Sequence, residues 1–310
     1  MYLTDFGLTR RPFPATPDRS CYYPATTHET ALASLLRAIE EDAGFALLAG
    51  APGTGKTLLC HCLLERLGPD VASAFLSNSH FPDRLSLLQG ILYDFSLPYE
   101  EGSEQVLRLR LTDYLLKNCC GARRALLLVD EAQHLLPDLL EELRLLGNLE
   151  AGKGKAFQVI LVGQEGLMQT LSQPEMAACL QRLAVRARID PLGVEEGVDY
   201  LLHHVRLAGG RPEAIWDEPA LEILARGAKG IPRLLNQVGH QAMMLAHEAE
   251  MSRVDAEAAL EALAMLGLEA KIENDQEQEE GGEEEEPLVM DGELAKESTG
   301  VRLFDSPRRA

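Results

Sequence analysis

The sequence predicts an α/β fold: a parallel β-sheet with helices on both faces, then a small all-helical domain and a disordered acidic tail. Three observations carry this. Apolar, strand-like runs alternate with helix-period stretches up to about residue 190. From 191 to 268 only helical periods occur, separated by glycine breaks. From Glu269 onward, acidic and other polar residues dominate, a composition that cannot bury a core.

Taken in order, Met1 to about Pro24 is rich in prolines and aromatics, as in Arg10-Arg-Pro-Phe-Pro14 and Tyr22-Tyr-Pro24. Such a lead is expected to be ordered and extended on a surface rather than helical. Thr26 or Thr27 is expected to cap a helix from His28 to about Asp42, whose residues Ala31, Leu32, Leu35, Leu36 and Ile39 share a face. Phe45–Ala49 reads as a buried strand, and Leu58–Leu67 as the helix after it. Val71–Leu76 reads as a second strand, followed by helices at Pro82–Phe95 and Ser103–Asn118.

Ala125–Val129 is a continuous apolar strand that runs directly into Asp130-Glu131, with a helix from Pro137 to Leu149. Glu150–Lys155 reads as a hairpin-like break. Phe157–Val162 is a further buried strand, expected beside the first, ending at Gly163-Gln164 before a short helical region to about Cys179. Leu183–Ile189 reads as a fifth, more exposed strand. Gly193–Leu207, Glu218–Lys229, Pro232–Glu248 and Val254–Leu266 then read as helices. The expected domains are 1–190, with residues 1–25 as its lead, 191–268 as a helical lid, and 269–310 as the tail.

With 310 residues, 46% of them hydrophobic, the chain can build one large or two modest cores. No apolar run reaches about 18 residues, so no transmembrane helix is expected. The N-terminus lacks a basic region followed by a long apolar stretch, so no secretory signal is expected. Cys21, Cys60, Cys62, Cys119, Cys120 and Cys179 show no metal-ligand spacing, and read as reduced, buried thiols of a cytoplasmic protein. The net charge is −20; residues 269–310 hold 14 acidic and 5 basic residues, a net of −9, which leaves −11 on the rest. An acidic body argues against a broad nucleic-acid-binding surface.

The chemistry centres on Gly50-Ala51-Pro52-Gly53-Thr54-Gly55-Lys56-Thr57, which fits G-x-x-x-x-G-K-[ST] at every fixed position. It sits between a strand and a helix that begins with Leu58, where glycines and a helix N-terminus bring backbone N–H groups to phosphate oxygens. Lys56 is expected to reach the β- and γ-phosphates of ATP, and the Thr57 hydroxyl to ligate Mg²⁺. Asp130 is placed to hold the Mg²⁺, and Glu131 to polarise the attacking water. Gln164 is a candidate contact for the γ-phosphate or that water. Arg182, Arg186 and Arg188 are candidates for an arginine that reaches a neighbouring subunit's nucleotide, and Arg233, after Gly230-Ile-Pro232, for one that enters from the lid helix. Glu141, Glu142 and Arg144 read as a surface face, and His61, His80, His203 and His204 as surface or packing residues.

These stretches together resemble an AAA+ ATPase, and more narrowly the ExeA/GspA family of secretion-associated ATPases. Phe6-Gly-Leu8, Arg11-Pro-Phe13, Gly44–Leu48, Val129-Asp-Glu-Ala-Gln-His-Leu135, Leu140–Leu146 and Leu161-Val-Gly-Gln164 carry the likeness, which covers about residues 1–268. The resemblance implies a P-loop AAA+ sheet and helical lid. It implies Walker A roles for Lys56 and Thr57, Walker B roles for Asp130 and Glu131, sensor 1 at Gln164 and sensor 2 at Arg233. One of Arg182, Arg186 and Arg188 would be the finger, and aromatics around Phe6 and Phe13 would lie near the adenine. It implies a homo-oligomer that hydrolyses Mg-ATP on a protein partner in a secretion, pilus or envelope assembly, cytoplasmic or peripheral to the inner membrane. Family members serving secretion continue into a transmembrane segment and a periplasmic region, where this chain carries its acidic stretch. The alternative is a DNA-associated AAA+ regulator of transposition or replication initiation, which the acidic body disfavours. A small-molecule phosphotransferase is disfavoured by the Asp130-Glu131 pair, the lid and the arginines.

Overall fold

Strands that are apolar on both faces must be covered on both faces, and that requirement shapes the N-terminal part of the molecule. A computed structural model describes residues 2–16, 18–118, 124–151 and 154–268. The acidic tail and Cys119 and Cys120 fall outside the described residues. Five parallel strands, β1 (Phe45–Gly50), β2 (Val71–Leu76), β3 (Arg124–Val129), β6 (Phe157–Gly163) and β7 (Leu183–Ile189), form one sheet in the order β2-β3-β6-β1-β7. Two-residue strands β4 (Glu150–Ala151) and β5 (Gly154–Lys155) make the hairpin expected there. The expected adjacency of the first and the Phe157 strands is present, with Phe45 opposite Val159 and Ala49 opposite Gly163.

Alternate residues of each strand feed two separate cores. Leu47, Leu127, Val129, Val159 and Leu161 pack beneath α3 (Arg84–Asp94), α4 (Glu104–Asn118) and α5 (Pro137–Leu146). Leu48, Leu126, Leu128, Ile160 and Val162 pack on the other face against α1 (Thr26–Glu40) and α2 (Lys56–Arg66). Each fully buried Leu or Val contributes about 1.5–3 kcal/mol relative to exposure. On edge strand β7, Ala187 and Ile189 face inward while Ala184, Arg186 and Arg188 are exposed.

Short helices α6 (Glu165–Leu171) and α7 (Ala177–Leu180) link β6 to β7. Beyond the sheet, α8 (Val194–Leu207), α9 (Pro212–Ile215), α10 (Glu218–Gly227), α11 (Pro232–Glu248) and α12 (Ala256–Met265) share a third core. Helix α9 is one turn that the sequence reading lacked. It leads into a bridge between Trp216 and Val254, closed by bonds from Val254 N–H to the Ile215 carbonyl and from Asp217 N–H to the Val254 carbonyl.

Three local expectations are corrected. The lead does not lie on a surface: Tyr2, Phe6, Leu8 and Phe13 are buried in the helical core, and Tyr2 Oη bonds His240 Nδ1 at 2.8 Å. The side chains of Thr26 and Thr27 do not cap α1. Ala25 occupies the cap position, and the Glu196 carboxylate of α8 accepts from Thr26 N–H at 2.9 Å and from its hydroxyl at 2.7 Å. An acidic side chain suits a helix N-terminus, and here it joins the two parts of the molecule. Finally, Glu142 is buried at 1% exposure rather than on a solvated face, with Arg108 Nη2 at 2.8 Å.

Candidate nucleotide-binding site

The order of the strands brings three carboxyl ends side by side. The β1 end carries the phosphate loop, the neighbouring β6 end carries Gly163-Gln164, and the β3 end beyond it carries Asp130-Glu131. In open parallel sheets, such ends at a change in strand order are where ligands bind.

The loop is curled by Gly53 and Gly55, which take φ values of +81° and +97° that side chains rarely adopt. Its outward groups are tied down from several directions. Lys56 Nζ donates to the carbonyls of Gly50 and Ala51 at 3.0 and 2.9 Å, and the Thr54 hydroxyl also donates to the Ala51 carbonyl at 2.9 Å. The Arg233 N–H, at the start of α11, donates to the Gly53 carbonyl at 3.2 Å. His28 Nε2 donates to the Thr54 carbonyl at 2.7 Å. Burial draws the Lys56 ammonium below the ordinary lysine range, while Glu131 and Asp130 pull the other way. Burial likewise holds His28 below the usual histidine value, so its ring is neutral and Nε2 carries the hydrogen.

Across the cleft, Asp130 is 2% exposed. Its Oδ2 accepts from the Thr57 hydroxyl at 2.6 Å, and its Oδ1 from the Glu131 N–H at 2.9 Å. Ser79 donates to the Asp130 carbonyl, and the Asp130 N–H donates to the Leu76 carbonyl at 2.9 Å, so the aspartate is fixed from β2. Glu131 has φ +52°, a left-handed backbone conformation just past the end of β3. Gln133 Nε2 donates to Glu131 Oε2, and Gln133 Oε1 accepts from the Gln164 N–H at 3.2 Å.

A hydroxyl and a carboxylate at hydrogen-bond distance, facing a lysine and a helix N-terminus, form a hard-oxygen set that fits Mg²⁺ bridged to phosphates. Among the described residues no group of three or more His, Cys, Asp or Glu could hold a metal. A site of this kind takes its remaining ligands from phosphate and water.

The structure brings Gly50–Thr57, Asp130, Glu131, Gln164 and the backbone of Arg233 together. Leu58 is half-buried and packs against the core that α1 and α2 cover. Arg182, Arg186 and Arg188 are exposed on or just before the edge strand. Arg188 pairs with Glu165 at 2.9 Å and Asp190 at 2.5 Å. Phe6 and Phe13 are buried in the helical core, where Phe13 packs edge-on to Trp216 with ring centres 6.4 Å apart. His204 is buried with Nδ1 on the Pro12 carbonyl at 2.9 Å, and His61 packs on Phe75, as packing residues do. His80 and His134, both exposed, stack at 4.3 Å beside the Asp130-Glu131 turn. Cys21, Cys60, Cys62 and Cys179 are buried and free. Sequence reasoning missed His28 and Gln133. His28 offered one signal, a histidine on the apolar side of the helix that precedes the strand leading into the phosphate loop.

Known proteins agree with this geometry. The family model described as "AAA domain" matches residues 38–171. General secretion pathway protein A of Aeromonas hydrophila is 39% identical over 247 residues, which are 79% of this chain and 45% of that protein, so the chain spans about half of that relative's length. Among solved structures, the Aeropyrum pernix ORC2 protein in its ADPNP-ADP complexes has a TM-score of 0.62 at 16% identity, over 83% of this chain and 71% of that one. The Aeropyrum pernix ORC1 protein in complex with DNA has a TM-score of 0.60 at 20% identity, over 83% of this chain and 69% of that one. At such identities the likeness shows the fold alone. Sheet order, phosphate loop and sequence similarity converge: the chain has the P-loop AAA+ fold, a nucleotide-binding fold, carries an AAA domain over residues 38–171, and is similar to general secretion pathway protein A.

Proposed function

We propose that this chain binds ATP with Mg²⁺, hydrolyses it as a homo-oligomer, and uses the cycle to assemble or remodel a protein complex of secretion, a pilus or the envelope. The observation that carries the reading is the 2.6 Å bond between Thr57 Oγ1 and Asp130 Oδ2, with Glu131 next in the chain. In this reading the loop N–H groups and Lys56 bind the β- and γ-phosphates. Thr57 and Asp130 hold the metal, which neutralises charge on the phosphate oxygens when bound. Glu131 accepts a proton from the attacking water, Gln164 aligns that water or the γ-phosphate, and Arg233 approaches from α11. An arginine of the next subunit, drawn from Arg182, Arg186 and Arg188, completes the site; Arg188 must first leave Glu165 and Asp190. In this reading residues up to 190 form the nucleotide-binding domain, apart from the lead whose aromatics sit in the helical core, and residues 191–268 form the lid.

The secretion role rests on kinship with general secretion pathway protein A over part of that protein's length. Among the described residues no helix is long and apolar enough to cross a membrane, which fits a cytoplasmic module that meets the inner membrane through a partner. The test is ATP turnover against protein concentration, with and without duplex DNA at fixed salt, for the wild type and Glu131→Gln. Turnover per chain is expected to rise with concentration and to ignore DNA. Glu131→Gln is expected to bind ATP normally and to lose about 10²–10⁴-fold in turnover, the range for a general base. Normal turnover by Glu131→Gln refutes the assignment of the base. Strong stimulation by DNA moves the reading to a regulator of transposition or replication initiation.

A further inference from the structure

We infer that Gln133 is the positioning residue for Glu131: its side-chain amide spans from the Glu131 carboxylate to the backbone N–H of Gln164. This deepens the ATPase reading and rests on it. Glu131 lies at the end of β3 and Gln164 at the end of β6, neighbouring strands whose carboxyl ends form the cleft. Gln133 Nε2 donates to Glu131 Oε2 while Oε1 accepts from Gln164 N–H at 3.2 Å. Both ends dictate the orientation of the amide. A carboxylate only accepts and a backbone N–H only donates, so turning the amide over loses both bonds.

The surroundings are shaped for this bridge. A Cβ at Gly163 would stand 2.7 Å from Gln133 Oε1, so the glycine at the end of β6 leaves the amide its path. Glu131 itself sits at φ +52°, a backbone that a non-glycine residue holds only where its surroundings fix it. With Oε2 occupied by the amide, Oε1 is the oxygen left to take the proton of a water. The same amide makes any shift of the Gln164 backbone felt at Glu131, so the γ-phosphate end of β6 and the base move as a unit. Asparagine is one methylene too short to span both groups, and glutamate sets a second carboxylate against the first.

The experiment compares the wild type, Gln133→Ala, Glu131→Gln and the double variant by ATP turnover and by equilibrium ATP binding. Hydrogen exchange of the Gln164 amide is followed in the wild type and Gln133→Ala. Gln133→Ala is expected to lower kcat by about 10- to 100-fold, the scale for a catalytic group displaced by about 1 Å, with ATP affinity within about twofold. It is expected to have no further effect in the Glu131→Gln background, because residues acting as a unit are not additive. The Gln164 amide is expected to lose protection in Gln133→Ala whether or not ATP is turned over. Wild-type turnover by Gln133→Ala, an equal loss in both backgrounds, or a loss of ATP affinity that matches the loss of kcat overturns the inference alone. A wild type that binds ATP without turnover overturns the ATPase reading and the inference with it.

Discussion

Replacing His28 by phenylalanine removes one hydrogen bond with little change in side-chain volume. His28 is 5% exposed and Thr54 is 0% exposed, so no water waits to take over the Thr54 carbonyl that Nε2 now reaches at 2.7 Å. A buried carbonyl left unpaired costs about 1–3 kcal/mol. The phosphate loop can meet that cost in two ways. It can open locally, so that ATP binds less tightly, or it can stay closed and lower the stability of the whole domain. At about 1.4 kcal/mol per tenfold change in affinity, the first route weakens ATP binding by about 5- to 150-fold. The second lowers the free energy of unfolding by the same amount, about 1–3 kcal/mol. Titration calorimetry with ATP under conditions without turnover, and urea unfolding at pH 7.5, together capture both. His28→Gln, which keeps an N–H of similar reach, is expected to lose less than His28→Phe. If His28→Phe binds ATP within about twofold and unfolds within about 0.5 kcal/mol of the wild type, the loop is not held by this bond and the reasoning fails.

Burial pushes the His204 imidazole down to about 4 from 6.5. Between those values the unfolded chain takes up a proton that the folded one refuses. Stability is therefore present above about pH 6.5 and falls by about 3 kcal/mol as pH drops toward 4. His204→Phe is expected to flatten that part of the pH dependence in urea unfolding, and an unchanged slope refutes it. Burial raises the Glu142 carboxyl above its usual range, against the pull of Arg108, so the carboxylate needs its partner most at neutral pH. Arg108→Met is expected to destabilise by about 3–5 kcal/mol at pH 7 and by less at pH 5, with Glu142→Gln in the same chain restoring most of the loss. Equal destabilisation at both pH values counts against a buried carboxylate there.

The phosphate loop, the Asp130-Glu131 strand end and the parallel sheet were legible because each depends on residues close in sequence. Asp130 follows a run of apolar residues, and a strand end plus a carboxylate needs no distant partner to be recognised. His28 and Gln133 were not legible, because their partners lie 26 and 31 residues away and become neighbours only through the strand order. Glu142 shows two local rules in conflict. Its charge pointed to solvent, yet it stands three residues after Leu139 and four before Leu146, on the face that α5 buries. The face prevailed because Arg108 of α4 lies opposite. The aromatic lead was placed outside for want of any helical period, but Tyr2, Phe6 and Phe13 find partners in helices some two hundred residues onward, which no local pattern records.

The loop carbonyls are engaged one after another: Gly50 and Ala51 by Lys56, Gly53 by the Arg233 N–H, Thr54 by His28 and Gly55 by the Leu59 N–H. The negative ends of these peptide dipoles are thereby turned outward, and the positive ends are left for whatever enters. The cradle is polarised for an anion before an anion arrives, and a peptide flip toward the opposite polarity must break a contact with α1, α11 or the lysine. Selectivity for phosphate is thus partly set by contacts behind the loop, the His28 bond to the Thr54 carbonyl among them. Sequence changes at the far side of those contacts can tune affinity while every residue of the loop itself stays the same.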